Sequence, residues 1–329
     1  VPVSVGNATV TPALLDTGST GLRVMRDALT GATYTDTGLA SLYEFGGGDK
    51  LTGTIGTGTI AIGPLATAAP VPFELIAQTG CAAFQPQCGA ALLPPGEYGI
   101  GGDGIASQGF QAILGAGLAP ASGAAYAENP LALAGARRWI IHLPEPGQDA
   151  VGALTLNPGP ADLQGFQLFK LARAAAPGPG PAWVDELPAC LSNTASGDQI
   201  CGPALLDTGS PGVIAVTPGG AAAPLWPAGD PARLAFAQTG FSFAADRGTG
   251  TGLLAAPLQG ANARLIAGLL PFLYFDVLYD AANGEIGLRP RPDAPNPATT
   301  PVAGNQPLQV IELNAPPPGA STMPNVITP

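Results

Sequence analysis

Pro12-Ala-Leu-Leu-Asp-Thr-Gly-Ser19 returns unchanged as Pro203-Ala-Leu-Leu-Asp-Thr-Gly-Ser210. Chance does not supply eight identical residues twice in one chain, and 191 residues separate the copies, far beyond the period of stacked solenoid repeats. At 329 residues the chain is about twice a typical domain of ~150, so one copy per domain is the simplest reading. In each copy an apolar strand end, Ala-Leu-Leu, runs into Asp-Thr-Gly-Ser, residue types that favour turns and bond their side chains to nearby backbone. Each half therefore offers one carboxylate, Asp16 or Asp207, on a tight turn.

Further echoes follow each copy. Ile113-Leu-Gly115 in the first half and Ile266-Ala-Gly268 in the second are apolar pairs ending in a glycine that lets another backbone come close. Thr54–Ile62 and Ala153–Leu156 alternate and carry β-branched residues, and Tyr274–Leu288 reads as two strands around the hairpin signal Ala281-Ala-Asn-Gly284. The alanine-rich piece Pro130–Arg138 is the best short helix. Gly (47) and Pro (37) are abundant, but 46% apolar against 11% charged residues makes them turn residues between many short strands. The expectation is an all-β, bilobal chain: residues 1–158 as the first lobe, 159–290 as the second with the boundary near Asn157–Pro160, and a proline-rich tail over 291–329. Within that tail Leu308–Leu313 alternates enough to form a strand at a sheet edge.

With a formal charge of −11 and only 12 Lys and Arg, the chain lacks the basic surface that nucleic acid requires. The longest apolar stretch, Leu265–Tyr279, is broken by Pro271 and Asp276 and is too short to span a membrane as a helix, and a monomer is expected. The four cysteines fall in two local pairs, and Cys81–Cys88 with Cys190–Cys201 is the most economical of three connectivities, four free thiols being the alternative. Disulfides would place the protein outside the cytoplasm, secreted or periplasmic. No metal is expected, because the spacings are not those of a zinc site and the single histidine, His142, sits in the apolar run Trp139–Leu143, where a structural role is expected. No cofactor is implied either: Gly99–Gly104 lacks the Lys-Ser/Thr of a phosphate loop and reads as a surface loop.

Two carboxylates at hydrogen-bonding distance cannot both ionise comfortably and share one proton, which makes the pair acid and base at once. One member can take a proton from water while the other donates to the oxygen of an amide carbonyl, with no metal and no covalent intermediate. The flanking residues suit this. Gly18 and Gly209 can turn backbone N–H groups toward the carboxylates, Ser19 and Ser210 can donate hydroxyl bonds to them, and Thr17 and Thr208 can fix the two turns relative to one another.

On these motifs the chain resembles the pepsin-like aspartic proteinases, whose two lobes each carry an apolar-apolar-Asp-Thr-Gly-Ser/Thr turn. Phe45–Gly53 resembles the family's flap hairpin, Gln111–Pro120 its Ile-Leu-Gly segment and Leu265–Arg289 its closing stretch, in the family's order. The resemblance implies a cleft between lobes, a peptide or unfolded protein as substrate across Asp16 and Asp207, and a flap comprising Tyr43, Phe45, Gly46 and Gly47. Three departures stand out. Phe45 falls where the family's flap has a tyrosine, Arg23 stands where a tryptophan follows the first motif, and only 15 residues precede Asp16, so that the family's first strand is missing or replaced. Tyr43, on the same strand face as Phe45, is a candidate to supply the hydroxyl instead. The rival reading is a catalytically silent pepsin-fold protein that binds or inhibits another protein or captures a glycan. A glycosidase is disfavoured by 6% aromatic content and three tryptophans (Trp139, Trp183, Trp226), and a serine–histidine mechanism by the absence of a Gly-x-Ser-x-Gly elbow.

Overall fold

Short runs of alternating apolar and β-branched residues, punctuated by glycine and proline, fold as strands because each run can bury only one face. A computed structural model describes residues 1–46, 48–92, 110–120, 128–143, 152–175, 182–210, 212–218, 226, 229–244, 253–258 and 264–294. Over these residues the chain is all-β, with several sheets and only two short α-helices. It groups into two compact units, Val1–Arg137 with Arg173–Val184, and Arg138–Ala172 with 185–294. The division expected near Asn157–Pro160 thus falls inside the second unit. Gly47, Gly99–Gly104 and Leu308–Leu313 lie outside the described residues.

The first unit contains β1 (Val3–Val5), β2 (Ala8–Val10), β3 (Ala13–Asp16), β4 (Thr20–Met25), β5 (Thr35–Glu44), β6 (Asp49–Gly58), β7 (Ile60–Ile62), β8 (Leu65–Ala66), β9 (Val71–Cys81) and β10 (Ala112–Ala116). Strands β2-β1-β7-β8 form a small sheet, and β3-β10-β4-β9-β6-β5 a larger one. The stretch expected as one strand over Thr54–Ile62 is divided at Thr59 between β6 and β7, which join different sheets. The helix expected over Pro130–Arg138 is a single turn, α1 (Pro130–Leu133). Asn129 caps it by accepting from Leu131 N and Ala132 N, and Gly135 at φ +96° ends it. The larger sheet packs Tyr43, Phe45, Leu51, Ile55, Ile76 and Ile113 into one cluster, flanked by Leu14, Met25 and Phe110.

The second unit continues with β11 (Arg138–His142), β12 (Ala153–Leu156), β13 (Gln167–Lys170), β14 (Glu186–Asn193), β15 (Gln199–Leu206), β16 (Val213–Pro218), β17 (Pro231–Phe236), β18 (Thr239–Ala244), β19 (Leu253–Leu258), β20 (Arg264–Gly268), β21 (Phe275–Asp280) and β22 (Glu285–Pro290). One sheet runs β12-β11-β21-β22-β13, the other β18-β17-β14-β15-β20-β16-β19. The hairpin read around Ala281–Gly284 is β21–β22, and Asp280 closes its turn by accepting from Asn283 N and Nδ2 at 3.0 and 2.9 Å. Before it lies a buried helix, α2 (Leu270–Tyr274), inside a stretch too uniformly apolar to show a period. Both expected disulfides are present: Cys190 and Cys201 sit opposite one another in β14 and β15, and Cys81–Cys88 ties the end of β9 to the loop after it. Among the described residues no helix is long and apolar enough to cross a membrane.

Candidate active site

Each octapeptide enters its unit through the same arrangement. In the first, β3 ends at Asp16 and lies parallel to β10, with Asp16 opposite Gly115; β10 in turn runs antiparallel to β4, which follows the turn. In the second, β15 ends beside Asp207 and lies parallel to β20, with Leu206 opposite Gly268, and β20 runs antiparallel to β16. The apolar-apolar-Gly echoes are therefore the strands wedged between the two arms of each Asp-Thr-Gly-Ser turn. Glycine is required there. A Cβ on Gly115 would stand 2.6 Å from Gly21 O, and one on Gly268 would stand 2.2 Å from Gly212 O at a φ of +60°. The serine carbonyl of each turn is also pinned, Ser19 O by Gly117 N and Ser210 O by Leu269 N, both at 2.9 Å.

The hydrogen bonds expected of these turns are present in both. Gly18 N donates to Asp16 Oδ1 at 2.9 Å and the Ser19 hydroxyl donates to Asp16 Oδ2. Gly209 N donates to Asp207 Oδ1 at 2.7 Å and the Ser210 hydroxyl donates to Asp207 Oδ2 at 2.5 Å. Asp16, Thr17, Ser19, Asp207 and Thr208 are all buried. Each carboxylate is thus oriented by one backbone and one hydroxyl donor, which holds its plane fixed within the turn.

The first unit surrounds its turn with a buried cluster of charged and aromatic side chains. Arg23, in β4, is wholly buried and donates from Nη1 to Ser19 Oγ at 3.3 Å and from Nη2 to Thr20 O at 3.2 Å. Its Nε lies 3.5 Å from Glu74 Oε2, with both side chains fully out of water, because β4 and β9 run parallel with Arg23 opposite Glu74. Glu74 Oε1 accepts from the Ser41 hydroxyl at 3.0 Å, reaching into β5. The guanidinium lies under the Tyr43 ring, 3.7 Å from its centroid, and 5.5 Å from that of Phe45; the two rings meet edge to face at 4.7 Å.

Of the hairpin residues singled out in the sequence, Tyr43 and Phe45 are buried beside the Asp16 turn, and Gly46 is half-buried at the tip. The tip closes through Phe45 N to Asp49 O at 2.8 Å and Gly48 N to Phe45 O at 2.9 Å. Tyr43 reaches the turn through its ring face on Arg23, which in turn donates to Ser19 Oγ. Glu74 was not marked in the sequence, although a lone acid in the apolar run Val71–Ile76 is the signal that finds it. His142 lies elsewhere, its Nδ1 2.7 Å from Asp276 Oδ1, while Asp276 Oδ2 accepts from Arg289 Nε and Nη2.

No protein-family model matches the chain, and neither does any curated protein. Each Asp-Thr-Gly-Ser turn presents a buried carboxylate oriented by a glycine N–H and a serine hydroxyl of its own turn. A buried carboxylate so held can accept a proton from water or hold one for donation, which is the repertoire of acid–base hydrolysis.

Proposed function

We propose that the protein is an aspartic endopeptidase of the pepsin-like kind, bilobal, with Asp16 and Asp207 brought together in the working enzyme as its paired carboxylates. The observation that carries this reading is the duplication: two identical octapeptides on the same local strand frame, each carboxylate fixed by its own glycine N–H and serine hydroxyl. A binding module has no need to preserve both complete carboxylate turns.

In the proposed reaction the pair holds one proton. The ionised carboxylate takes a proton from a water molecule as the water oxygen bonds to the scissile carbonyl carbon, and the protonated carboxylate donates to the carbonyl oxygen. The tetrahedral diol then collapses: the carboxyl that took the water proton gives it to the amide nitrogen, a diol hydroxyl returns its proton to the other carboxylate, the C–N bond breaks, and a carboxylic acid and an amine leave. Substrate is an extended peptide or unfolded protein segment. The two disulfides support a location outside the cytoplasm, secreted or periplasmic.

The test is cleavage of a mixed, unstructured protein substrate between pH 3 and 7, with and without pepstatin. Acid-favoured, pepstatin-blocked cleavage is expected. A folded sample that cleaves nothing at any pH overturns the reading and leaves the silent binding protein, with the Arg23 and Phe45 departures as the reason.

A further inference from the structure

The buried pair Arg23–Glu74 has an internal control in the same chain. Counting from the two aspartates, Arg23 corresponds to Ile214 in β16. In the first unit β4 places Arg23 opposite Ile113 of β10 on one side and Glu74 of β9 on the other. In the second, β16 places Ile214 opposite Ile266 of β20 and Leu254 of β19, with the same antiparallel and parallel senses. The frame around an Asp-Thr-Gly-Ser turn is therefore built in the second unit with an isoleucine and a leucine where the first has an arginine and a glutamate. Buried ion pairs cost desolvation that their attraction seldom exceeds, and well-packed apolar residues commonly replace them at no loss of stability. Fold stability does not account for the charges.

What the charges touch does account for them. The Ser19 hydroxyl spends its one proton on Asp16 Oδ2, so its oxygen is left to accept, and Arg23 Nη1 is the donor that meets it. The chain Arg23 to Ser19 to Asp16 points every donor one way, which fixes the serine rotor and strengthens its bond to the carboxylate. Thr20 O, taken by Nη2, holds the chain where it leaves the turn. The other face of the guanidinium carries Tyr43 and neighbours Phe45, and Glu74 both neutralises the cation and binds Ser41 of the same hairpin strand. One planar cation thus joins the carboxylate turn to the turn end of the β5–β6 hairpin.

We propose that Arg23, held by Glu74, is a positioning residue that locks the Ser19 hydroxyl onto Asp16 and couples the Asp16 turn to the turn end of the β5–β6 hairpin. This rests on the endopeptidase reading. Arg23 is wholly buried and acts through Ser19 rather than on the scissile bond. Its effect is on the rate of the chemical step and not on substrate capture.

The experiment moves the second unit's residues into the first. The double variant Arg23→Ile/Glu74→Leu is compared with wild type and with Arg23→Lys for cleavage of an unstructured protein and for kcat and KM on a peptide released from it. Urea unfolding is measured on all three. The expected result is a double variant that unfolds at the wild-type midpoint or above, with kcat lower by about 10- to 100-fold and KM within about twofold. Arg23→Lys keeps the charge without the planar fork and should recover part of that kcat. A double variant that cleaves like wild type overturns the proposal and leaves the endopeptidase reading intact. So does one that fails to fold, which would make the pair a support of the frame, and so does one that loses KM alone. A wild type that cleaves nothing removes both readings together.

Discussion

The two units build the same four-strand frame and extend it on opposite sides. In the first, β3-β10-β4-β9 pair in the senses parallel, antiparallel, parallel, and β15-β20-β16-β19 repeat that order in the second. The first unit then continues beyond β9 into the hairpin β6–β5, leaving β3 at the sheet's edge. The second continues beyond β15 into β14, β17 and β18, so the strand carrying its aspartate is interior. The frame itself needs only apolar strands, a turn and a glycine at the point of closest approach. What each unit adds to it is where their roles part: a hairpin over a buried arginine in one, a disulfide-braced sheet in the other.

The comparison breaks first if the two aspartates are unequal. Asp16→Asn and Asp207→Asn should each lower kcat/KM by about 10³-fold or more, and to within about tenfold of each other, because a shared proton fails when either partner is lost. A large residual activity in one variant, measured by peptide cleavage, would remove the paired mechanism. The frame is tested next by its glycines. Gly115→Ala must push apart backbone atoms and should cost about 1–3 kcal/mol in urea unfolding. Gly268→Ala adds a left-handed backbone that alanine resists and should cost more, about 2–5 kcal/mol. If both are tolerated, the frame does not depend on this close approach.

Much of that frame was legible. The octapeptides, the two apolar-apolar-Gly echoes, the hairpin at Ala281–Gly284 and both disulfide pairs are local patterns, and the pattern itself fixes them. The relation between β4 and β9, or between β16 and β19, was not, because parallel pairing joins distant segments and no local period carries its register. Arg23 could be seen as a departure but not as half of a pair, since Glu74 meets it only through that register. The single turn of α1 reads as a longer helix in the sequence because alanine propensity continues past Gly135, whereas β-pairing of Arg138 with Asp280 takes over the backbone. The uniformly apolar α2 gave no period to read.

The β5–β6 hairpin of the first unit also carries a pH dependence. Asp49 opens β6 opposite Cys81, accepts from Ala90 N at 2.8 Å, and burial pushes its carboxyl up to about 6 from an ordinary value of 3.8, the backbone bond opposing this only in part. The folded state therefore keeps this proton to higher pH than the unfolded chain. The resulting stability is fully present below about pH 4 and is lost as pH rises through about 6, a total of about 3 kcal/mol. Asp49→Asn should flatten that decline in urea melts taken from pH 4 to 7. An unchanged slope would assign the pH dependence to another group.

The finest distinction between the units lies in their serines. Ser19 and Ser210 make the same bond to their aspartates, but only Ser19 is described with an arginine on its oxygen. Removing a hydroxyl bond to a charged group is worth about 1.5–3 kcal/mol, so Ser210→Ala should lower kcat by about 10-fold. Ser19→Ala takes the same bond and also strips Arg23 Nη1 of an acceptor in a site closed to water, so its loss should be larger, toward about 100-fold. The difference is carried by the Arg23 contact, so combining Ser19→Ala with Arg23→Ile/Glu74→Leu should cost little beyond either change alone. Equal losses for the two serines, or full additivity in the combination, would mean that the arginine stabilises the hairpin without reaching the carboxylate.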